Sequence, residues 1–323
     1  MGDPGGVGPE IALKTALDPR VQAVADVIVF GDRKAIEAHV ASGRLPIEVR
    51  EHAGVPASSG DGRVVDFVHV DCLAGPPSLG QVTAEHGAAA LTALDAAAGA
   101  ALDGRLDAVV AGPIHELAIR QSGIHFDGHP SWLARRTGTP EEDVFLMLCW
   151  GNKRIAHATL HQSVRSALEA LTADRIHRVL GAVETALRRM GVASPRIGVS
   201  GVNPHAGESG LFGTEETDII EPAVREARAR GLNVVGPIGA DTLLPRDDCD
   251  AFVVMLHDQG HILAKSAAPH GAAALSIGTS INFSSVGHGT AMDIAGKGQA
   301  DPEALVQAVL QVTNAASRKG PTS

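Results

Sequence analysis

The sequence predicts an α/β fold built on a mostly parallel sheet. Short segments rich in Val and Ile alternate with Ala- and Leu-rich helical patterns along the whole chain. The strand segments are often continuously apolar, as expected of strands buried on both faces of a parallel sheet. This alternation indicates crossover helices between parallel strands. With 323 residues, the chain is long enough for two domains.

The individual elements follow from length and composition. Short apolar runs bounded by turn residues predict strands at 25–31, 63–70, 107–113, 143–150, 154–160, 196–204, 250–256 and 273–278. Helical patterns cover 9–18, 84–103, 162–190, 214–230 and 302–316. The segment 51–61, rich in Gly, Ser, Pro and Ala, is predicted to be a surface loop.

Composition excludes several classes of function. The 27 Lys and Arg residues against 37 Asp and Glu give a net charge of -10, which argues against a nucleic-acid partner. No apolar run approaches the roughly 18 to 20 residues of a membrane helix, and the first residues lack a secretory pattern. Three widely spaced cysteines without a CxxC pair favour a reduced compartment. We therefore expect a cytoplasmic protein without a membrane partner.

Three histidines follow three different predicted strands. His161, His205 and His257 each stand shortly after a buried segment. In open α/β sheets such positions meet at one edge, and three imidazoles can hold a divalent metal with a position open for substrate. Asp241 and Asp258 could lie nearby. Each histidine could instead be a structural residue bonded to a backbone carbonyl, so the residues alone leave both interpretations open.

Two further features have a functional and a structural interpretation. Lys265 could bind a carboxylate or move a proton beside a metal, or it could be a solvated surface lysine. The glycine-rich segment 2–10 leads into a predicted helix with Pro9 in its first turn. It does not match G-x-G-x-x-G, so no Rossmann fingerprint is predicted. Its backbone amides could hold an anion, or it could be only a tight turn.

Loop-like segments near both ends of the chain carry more polar residues. The segment 284–302 is predicted to be too irregular for a helix or strand, and it holds His288, Gly289, Asp293, Gly296 and Gly298. Its glycines could let backbone approach a ligand, or could serve turns alone. A second region contributes candidate site-lining residues and a predicted helix cap at Ser131; the candidates are His115, His125, Asp127 and His129.

Several of these segments resemble one known family. The motifs are GDPGGVGPE, VNPHAGESGLFGTEE, GADTLLP, MLHDQGHILAK and VGHGTAMDIAGKG. Together they resemble the 4-hydroxythreonine-4-phosphate dehydrogenase (PdxA-like) family, collinearly from Gly2 to about Val312. The last motif also looks like the cofactor loop of isopropylmalate dehydrogenases.

The resemblance implies a two-lobed α/β/α subunit, similar to isopropylmalate and isocitrate dehydrogenases, with a cleft between the lobes. Lobe 1 would comprise 1–127 plus 277–323, with both termini and the NAD loop. Lobe 2 would comprise 128–276, with the metal and dimer interface. The active site would be shared across a homodimer.

The resemblance also implies roles for single residues. His161 and His205 would bind a divalent metal together with His257 from across the dimer interface. Zinc is expected, although imidazole also suits cobalt, nickel and iron. NAD would lie along 284–298, at Gly287, His288, Gly289, Asp293 and Gly296. Substrate would contact His129, Lys265, Phe283 and Ala274, and the catalytic residues would be Lys265, Asp241 and Asp258.

Departures from the family pattern favour one branch. Ala274 and Phe283 stand where phosphate-binding members have Asn and Arg, and Pro130 and Gly287 replace a Thr and an Asp. Loss of an Arg removes a bidentate phosphate clamp that Phe cannot replace. The segments LHQSVRSALE and SSVGHG resemble a branch that contains terephthalate 1,2-cis-dihydrodiol dehydrogenases.

The predicted function is metal-dependent, NAD-linked oxidation and decarboxylation of a cis-dihydrodiol carboxylate, giving protocatechuate and CO₂ from the terephthalate diol. The alternative substrate is 4-phosphohydroxy-L-threonine or a related phosphorylated hydroxy acid. A metal-dependent hydrolase is a remote alternative, disfavoured by the absence of HExxH and by the HGTAMDIAGKG loop.

Overall fold

The computed structural model describes residues 1–56, 62–268 and 272–313. In these ranges the strands are β1 (Ile28–Gly31), β2 (Glu48–His52), β3 (Val64–His69), β4 (Ala108–Ala111), β5 (Phe145–Trp150), β6 (Lys153–His157), β7 (Arg196–Ser200), β8 (Asn233–Ile238), β9 (Ala251–Val254), β10 (Ala273–Ile277) and β11 (Asn282–Ser285). The α-helices are α1 (Gly8–Ala16), α2 (Pro19–Gln22), α3 (Arg33–Gly43), α4 (Ala84–Leu102), α5 (Glu116–Gln121), α6 (His129–Thr137), α7 (Val164–Ala170), α8 (Ala173–Arg189), α9 (Glu221–Ala229), α10 (Ala240–Leu243), α11 (His257–Ala267) and α12 (Glu303–Val312). The alternation of strands and helices confirms the predicted α/β class.

The chain divides into two compact units, of which the first comprises Met1–Thr137 and the described residues from Ser280 onward. In it, β1, β3 and β2 form a parallel sheet with β3 in the middle, and β4 pairs in parallel with β11. Helix α4 packs against both β1 and β4. Thr83 caps this helix by accepting the amide of His86, and most of its alanines are buried.

The second unit spans Gly138–Thr279. Its strands run in the order β10-β5-β6-β9-β7-β8. Strand β5 is antiparallel to both neighbours, whereas β6, β9, β7 and β8 run parallel to one another. The carboxyl ends of β6, β9 and β7 therefore lie side by side at one edge of the sheet, where ligands bind in open α/β folds.

Several predicted boundaries were wrong for identifiable reasons. The helix predicted over 162–190 is two helices, because the Thr172 hydroxyl accepts the amide of Arg175 and starts α8 anew. The pattern at 214–230 begins with a π-helical turn at Glu216–Ile220 before α9. Ser131 is not a cap, since α6 begins at His129.

Some elements lacked a clear signal in the sequence. Strand β2 is polar and mostly exposed, β8 contains a Gly-Pro pair, and α11 lies in a segment interpreted only as a strand end. Strand β11 includes Ser284 and Ser285, so the prediction that 284–302 is irregular was wrong for these first two residues. The predicted loop 51–61 begins inside β2, and its residues 57–61 lie outside the described ranges. In the described part of the chain, no helix has the length and hydropathy needed to cross a bilayer.

Candidate active site

The three predicted metal histidines follow adjacent parallel strands of the second unit. His161 comes four residues after β6, His205 comes five after β7, and His257 opens α11 just beyond β9. The centroids of the His161 and His257 rings lie 5.7 Å apart. Topology thus brings two of these side chains close together, although the sequence separates them by almost a hundred residues.

Gln259 joins the start of α11 to the end of β7. Its Oε1 accepts the amides of Met255 at 2.9 Å and Leu256 at 3.0 Å, and its Nε2 donates to the carbonyl of Gly201 at 2.9 Å. These bonds occupy backbone groups that the strand-to-helix turn leaves open. Gln259 therefore holds the position of His257 relative to the strand that carries His205. Gln259 is part of the motif MLHDQGHILAK, but sequence analysis assigned it no role.

His157 and His261 extend the histidine cluster beyond the predicted ligands. The His261 ring stacks on His257 with a centroid distance of 3.7 Å, and its Nδ1 lies 3.1 Å from His157 Nε2. Burial, reinforced by the neighbouring His261, lowers the pKa of His157 to about 3. A neutral His157 donates from Nδ1 to the carbonyl of Leu146 and accepts from His261 at Nε2. Sequence analysis missed this pair, whose signal was a histidine inside an apolar strand.

His205 lies in a left-handed backbone turn. Five successive residues, 205–209, have φ between 43° and 81°, a conformation that costs energy for every residue except glycine. Such a turn persists only when its surroundings hold it in place. It also exposes the His205 side chain, which contacts the Phe212 ring edge-on.

The buried carboxylate of Glu216 holds this turn. Its Oε1 accepts the amides of Val202 at 2.7 Å and Asn203 at 2.8 Å, while its Oε2 accepts the Asn203 side chain at 2.9 Å. A Cβ on Gly207 would come within 2.8 Å of Oε2, so only glycine fits there. Glu216 lies in the π-helical turn, and such turns are frequent at functional sites. Sequence analysis quoted this glutamate in a motif but did not assign it.

Carboxylates contact two of the three histidines at Nδ1. Asp258 Oδ1 lies 2.7 Å from Nδ1 of His257, and Glu208 Oε2 lies 3.4 Å from Nδ1 of His205. A carboxylate at Nδ1 favours the tautomer that leaves Nε2 as the ligand atom, the usual arrangement of metal-binding histidines. The donor set thus fits a divalent metal. Among the described residues of one chain, no three His, Cys, Asp or Glu side chains lie close enough together to hold a metal ion.

Of the remaining predicted residues of this unit, Lys265 and Asp241 are exposed and Ala274 is half-buried. Lys265 lies eight positions after His257 on α11, with His261 midway between them. Residues four apart lie on the same face of a helix, so these three side chains share one face. Asp241 is in the first turn of α10, where its Oδ1 and the backbone of His205 both approach Gly239. Ala274 lies in β10 opposite Leu148 of β5. The roles predicted for these side chains stay predictions.

The first unit contains the predicted cofactor segment. Gly287, His288, Gly289 and Asp293 are exposed, and a Cβ on Gly289 would meet nothing within 4 Å. Gly296 is buried with φ of 72°, and a Cβ there would come within 2.5 Å of Leu79. The fold alone therefore requires glycine at 296.

Helix α1 anchors the end of this segment. The buried Glu10 carboxylate accepts the amides of Gly298 and Ala300, and Lys14 donates to Glu10 and to both carbonyls of the same two residues. A charge-assisted network of this kind holds the loop in one conformation. The network ties the segment 2–10, which ends in Glu10, to the end of the segment 284–302.

His129 and Phe283 pack together in the first unit. Their rings lie 5.5 Å apart, Phe283 is 1% exposed, and Trp132 completes the contact. Burial lowers the pKa of His129 to about 4, and its Nε2 is buried without a hydrogen-bond partner in the described structure. Phe283 thus belongs to the apolar core of the first unit, and the rings of His129 and Trp132 pack against it.

The chain matches a known protein family over most of its length. The range 23–312 matches the profile of the pyridoxal phosphate biosynthetic protein PdxA. The chain belongs to the PdxA family. This confirms the resemblance and makes the chain a member of a dehydrogenase family, so it is classed with oxidoreductases.

Relatives with different dehydrogenase activities resemble the chain. It is 42% identical to 1,2-dihydroxy-3,5-cyclohexadiene-1,4-dicarboxylate dehydrogenase of Comamonas sp over 311 residues, covering 96% of this chain and 94% of that protein. It is 38% identical to 4-hydroxythreonine-4-phosphate dehydrogenase of Chromobacterium violaceum over 327 residues, covering 99% and 96%. Both relatives match along almost their entire length.

Solved structures give the same two groups. The terephthalate 1,2-cis-dihydrodiol dehydrogenase of Burkholderia xenovorans LB400 is 43% identical, with a TM-score of 0.76 and coverage of 97% of this chain and 96% of that one. The 4-hydroxythreonine-4-phosphate dehydrogenase of Klebsiella pneumoniae is 34% identical, with a TM-score of 0.88 and 98% coverage of both chains.

Proposed function

We propose that this protein oxidises and decarboxylates a cis-dihydrodiol carboxylate, with terephthalate 1,2-cis-dihydrodiol as the substrate and protocatechuate and CO₂ as the products. NAD takes up the hydride, and a divalent metal, zinc in the first instance, is required. The net charge of -10 argues against a nucleic-acid partner and leaves a small molecule as the expected substrate.

The observation that carries this proposal is the apolar burial of Phe283. In the resembling phosphate-binding members an Arg occupies this position, and a phosphate needs such a cation. Here the phenyl ring packs against His129 and Trp132 and is 1% exposed. A buried phenyl ring offers a phosphate neither a charge nor a hydrogen-bond donor, and this disfavours a phosphorylated substrate.

The metal would be held by His161 and His205 of one subunit and by the partner subunit's His257. When bound, it supplies a Lewis acid that withdraws electrons from the substrate oxygen during hydride loss and during loss of CO₂. Asp258 orients the imidazole of His257 through its contact at Nδ1. Glu216 keeps the left-handed turn closed and so positions His205.

Lys265 and Asp241 are assigned to substrate. Lys265 is an exposed cation on the same face of α11 as His257, which supports a role in pairing with a substrate carboxylate or moving a proton. Asp241, beside the His205 turn, would accept the proton of the substrate hydroxyl. NAD, when bound, would supply the hydride acceptor. The β-keto acid then loses CO₂, and the electron pair left behind restores the aromatic ring.

The cofactor is assigned to the segment after β11. Gly287, His288 and Gly289 expose backbone to solvent, and Asp293 would accept a hydroxyl of the nucleotide. The hydrogen bonds of Glu10 and Lys14 fix the far end of this segment. A segment that is already ordered loses less entropy when a ligand binds.

Exposed apolar side chains beside the metal histidines support a homodimer. Leu211 is 71% exposed, Ile262 is 65% exposed and Val164 is 64% exposed, and each lies within six residues of a predicted ligand. Exposed apolar groups concentrated beside one site mark an interaction surface. A second copy that covers them would bring its own His257 to the site.

The test is NADH formation from the cis-dihydrodiol of terephthalate, run beside 4-phosphohydroxythreonine and repeated with a chelator. We expect turnover of the diol alone, its loss with chelator, and release of one CO₂ for each NADH. Turnover of the phosphorylated substrate in its place would mean that the assignment of Phe283 is wrong.

His205→Ala gives a second, independent test. We expect at least a tenfold loss of bound metal, measured by elemental analysis, together with loss of turnover. His125→Ala, in an exposed segment of the first unit, is the matched control for metal content and should retain its bound metal. Unchanged metal content in His205→Ala would remove this residue from the ligand set.

A further inference from the structure

A second imidazole lies flat against the predicted metal ligand His257. The His261 ring stacks on the His257 ring with a centroid distance of 3.7 Å and an angle of 11° between the two planes. Both residues belong to α11 and are four positions apart, so the helix places them on one face. Ligation by His257 does not itself require a second ring, and the stack therefore needs an explanation.

His261 is held by two acceptors at one ring nitrogen. Its Nδ1 lies 3.2 Å from the carbonyl oxygen of His257 in the same helix and 3.1 Å from Nε2 of His157 in β6. A carbonyl oxygen only accepts, so Nδ1 carries the hydrogen and Nε2 of the neutral ring does not. Two contacts from different elements thus fix both the orientation and the tautomer of this imidazole.

The sheet in turn fixes His157. This side chain is 2% exposed, and its Nδ1 lies 3.3 Å from the carbonyl oxygen of Leu146 in the neighbouring strand β5. Burial favours the neutral ring, so Nδ1 donates to Leu146 and Nε2 is left as the acceptor for His261. Glycine at position 260 permits the contact, since a Cβ there would come within 2.3 Å of Nε2 of His157. His157 therefore connects α11 to two strands of the sheet.

The stack restrains a motion of His257 that its other contact leaves free. Asp258 Oδ1 lies 2.7 Å from Nδ1 of His257, but the Asp258 side chain is 79% exposed. A single hydrogen bond lets the imidazole rotate about the bond, and a solvated carboxylate can follow the ring. A flat neighbour at 3.7 Å opposes this rotation, because tilting either ring would bring their atoms too close together.

We infer that His157 and His261 are positioning residues for the metal ligand His257. His157 fixes the ring of His261, and the fixed ring of His261 holds the plane of His257 before the metal binds. The inference rests on the proposed function in one respect, the assignment of His257 as a ligand, and is independent of the substrate. Residues that orient a metal-binding histidine are commonly worth about ten- to a hundredfold in metal affinity.

Two substitutions at position 261 separate positioning from ligation. The probe is zinc alone, and its affinity for the full chain is measured by competition with a chromogenic chelator. His261→Ala removes the stacked ring and should weaken zinc binding at least about tenfold. His261→Phe restores a flat ring without a ligand nitrogen and should bind zinc at least about threefold more tightly than His261→Ala. A Phe variant as weak as the Ala variant would show that the stack is not what matters and would overturn the inference.

Position 157 tests the hydrogen bond that fixes His261. His157→Leu removes the acceptor and should weaken zinc binding at least about threefold, whereas His157→Gln keeps a donor and an acceptor and should recover most of the loss. Leu suits a buried site, and urea unfolding verifies that the variant is folded. His177→Leu is the matched control, because His177 is a half-buried histidine of α8 that contacts the carbonyl of Ala223; it should bind zinc like the parent. Equal zinc affinity in the parent and His157→Leu would remove His157 from the inference.

The cobalt(II) form supplies a spectroscopic readout. Imidazole binds cobalt as well as zinc, and the visible absorption of cobalt(II) reports the geometry of its ligands. We expect shifted bands in His261→Ala and parental bands in His177→Leu. Parental bands together with parental zinc affinity in His261→Ala would disprove the positioning role.

Failure of this inference is distinguishable from failure of the proposed function. A parent protein that binds zinc but does not oxidise the dihydrodiol would contradict the substrate alone, and the zinc affinities of the variants would still decide the roles of His157 and His261. A parent protein that binds no zinc would overturn both the ligand assignment and the positioning role.

Discussion

At the scale of single residues, the candidate site depends on side chains that position others. Glu216 closes the turn that carries His205, Gln259 joins the start of α11 to β7, and Asp258 orients His257. Sequence analysis predicted the three histidines because their side chains suggest metal chemistry directly. It missed Glu216 and Gln259 as positioning residues, since their partners are backbone groups that only the fold brings near.

Replacing Glu216 with Gln tests this positioning role. Gln retains the size of the side chain, but its amide would face the Asn203 amide as one donor against another. We expect roughly a tenfold loss of metal affinity and a decrease of about 1–3 kcal/mol in the free energy of unfolding. Metal titration and urea unfolding measure the two effects. Glu221→Gln, an exposed residue of α9, should change neither; unchanged metal affinity in Glu216→Gln would show that the turn does not need this carboxylate.

At the scale of elements, the helices of the second unit approach the sheet at different distances. Gly260 of α11 is buried against β6, and a Cβ there would overlap Nε2 of His157 and approach Ile155. Gly181 of α8 has nothing within 4 Å of its Cβ position. The two glycines look alike in the sequence because both lie within helical segments.

Alanine substitution should separate the two glycines. Gly260→Ala is expected to lower the free energy of unfolding by about 1–3 kcal/mol, because His157 or the whole start of α11 must shift. Gly181→Ala should raise it by about 0.5–1 kcal/mol through the usual preference of helices for alanine. Denaturant unfolding measures both. Equal effects of the two substitutions would contradict the close approach of α11 to β6.

The whole molecule should lose stability in mild acid because it buries neutral histidines. The pKa of His129 is lowered from 6.5 to about 4 by burial. Between these values the unfolded chain binds the proton and the folded chain does not. The free energy of unfolding therefore falls as the pH is lowered from about 6.5 toward 4.

The His129→Gln variant removes this contribution. Between pH 7 and pH 4 we expect the free energy of unfolding to fall in both proteins. The fall in the variant should be about 2–3 kcal/mol smaller than the fall in the parent. His125→Gln, from the exposed part of the same segment, should keep the parental slope. Urea unfolding across this pH range provides the measurement, and parallel curves for the parent and His129→Gln would refute the assignment.

Assembly is the second property of the whole molecule that can be tested. Ile262→Asp places a charge on the exposed apolar surface beside His261 and should convert a dimer to monomers, with loss of metal and turnover. Leu117→Asp, at a leucine of the first unit that is 40% exposed, should leave the assembly intact. Light scattering coupled to size exclusion gives the mass. A dimer that survives Ile262→Asp would place the interface elsewhere.

The sequence by itself determined the α/β class, the main strands and the three histidines at strand ends. It did so because burial on both faces gives strands a continuous apolar run and because polar residues follow where each run stops. Only the tertiary structure decided that Glu216 and Gln259 hold the site, that His157 and His261 extend it, and that Phe283 is buried. Each of these depends on contacts between residues far apart in the chain, which no local pattern encodes.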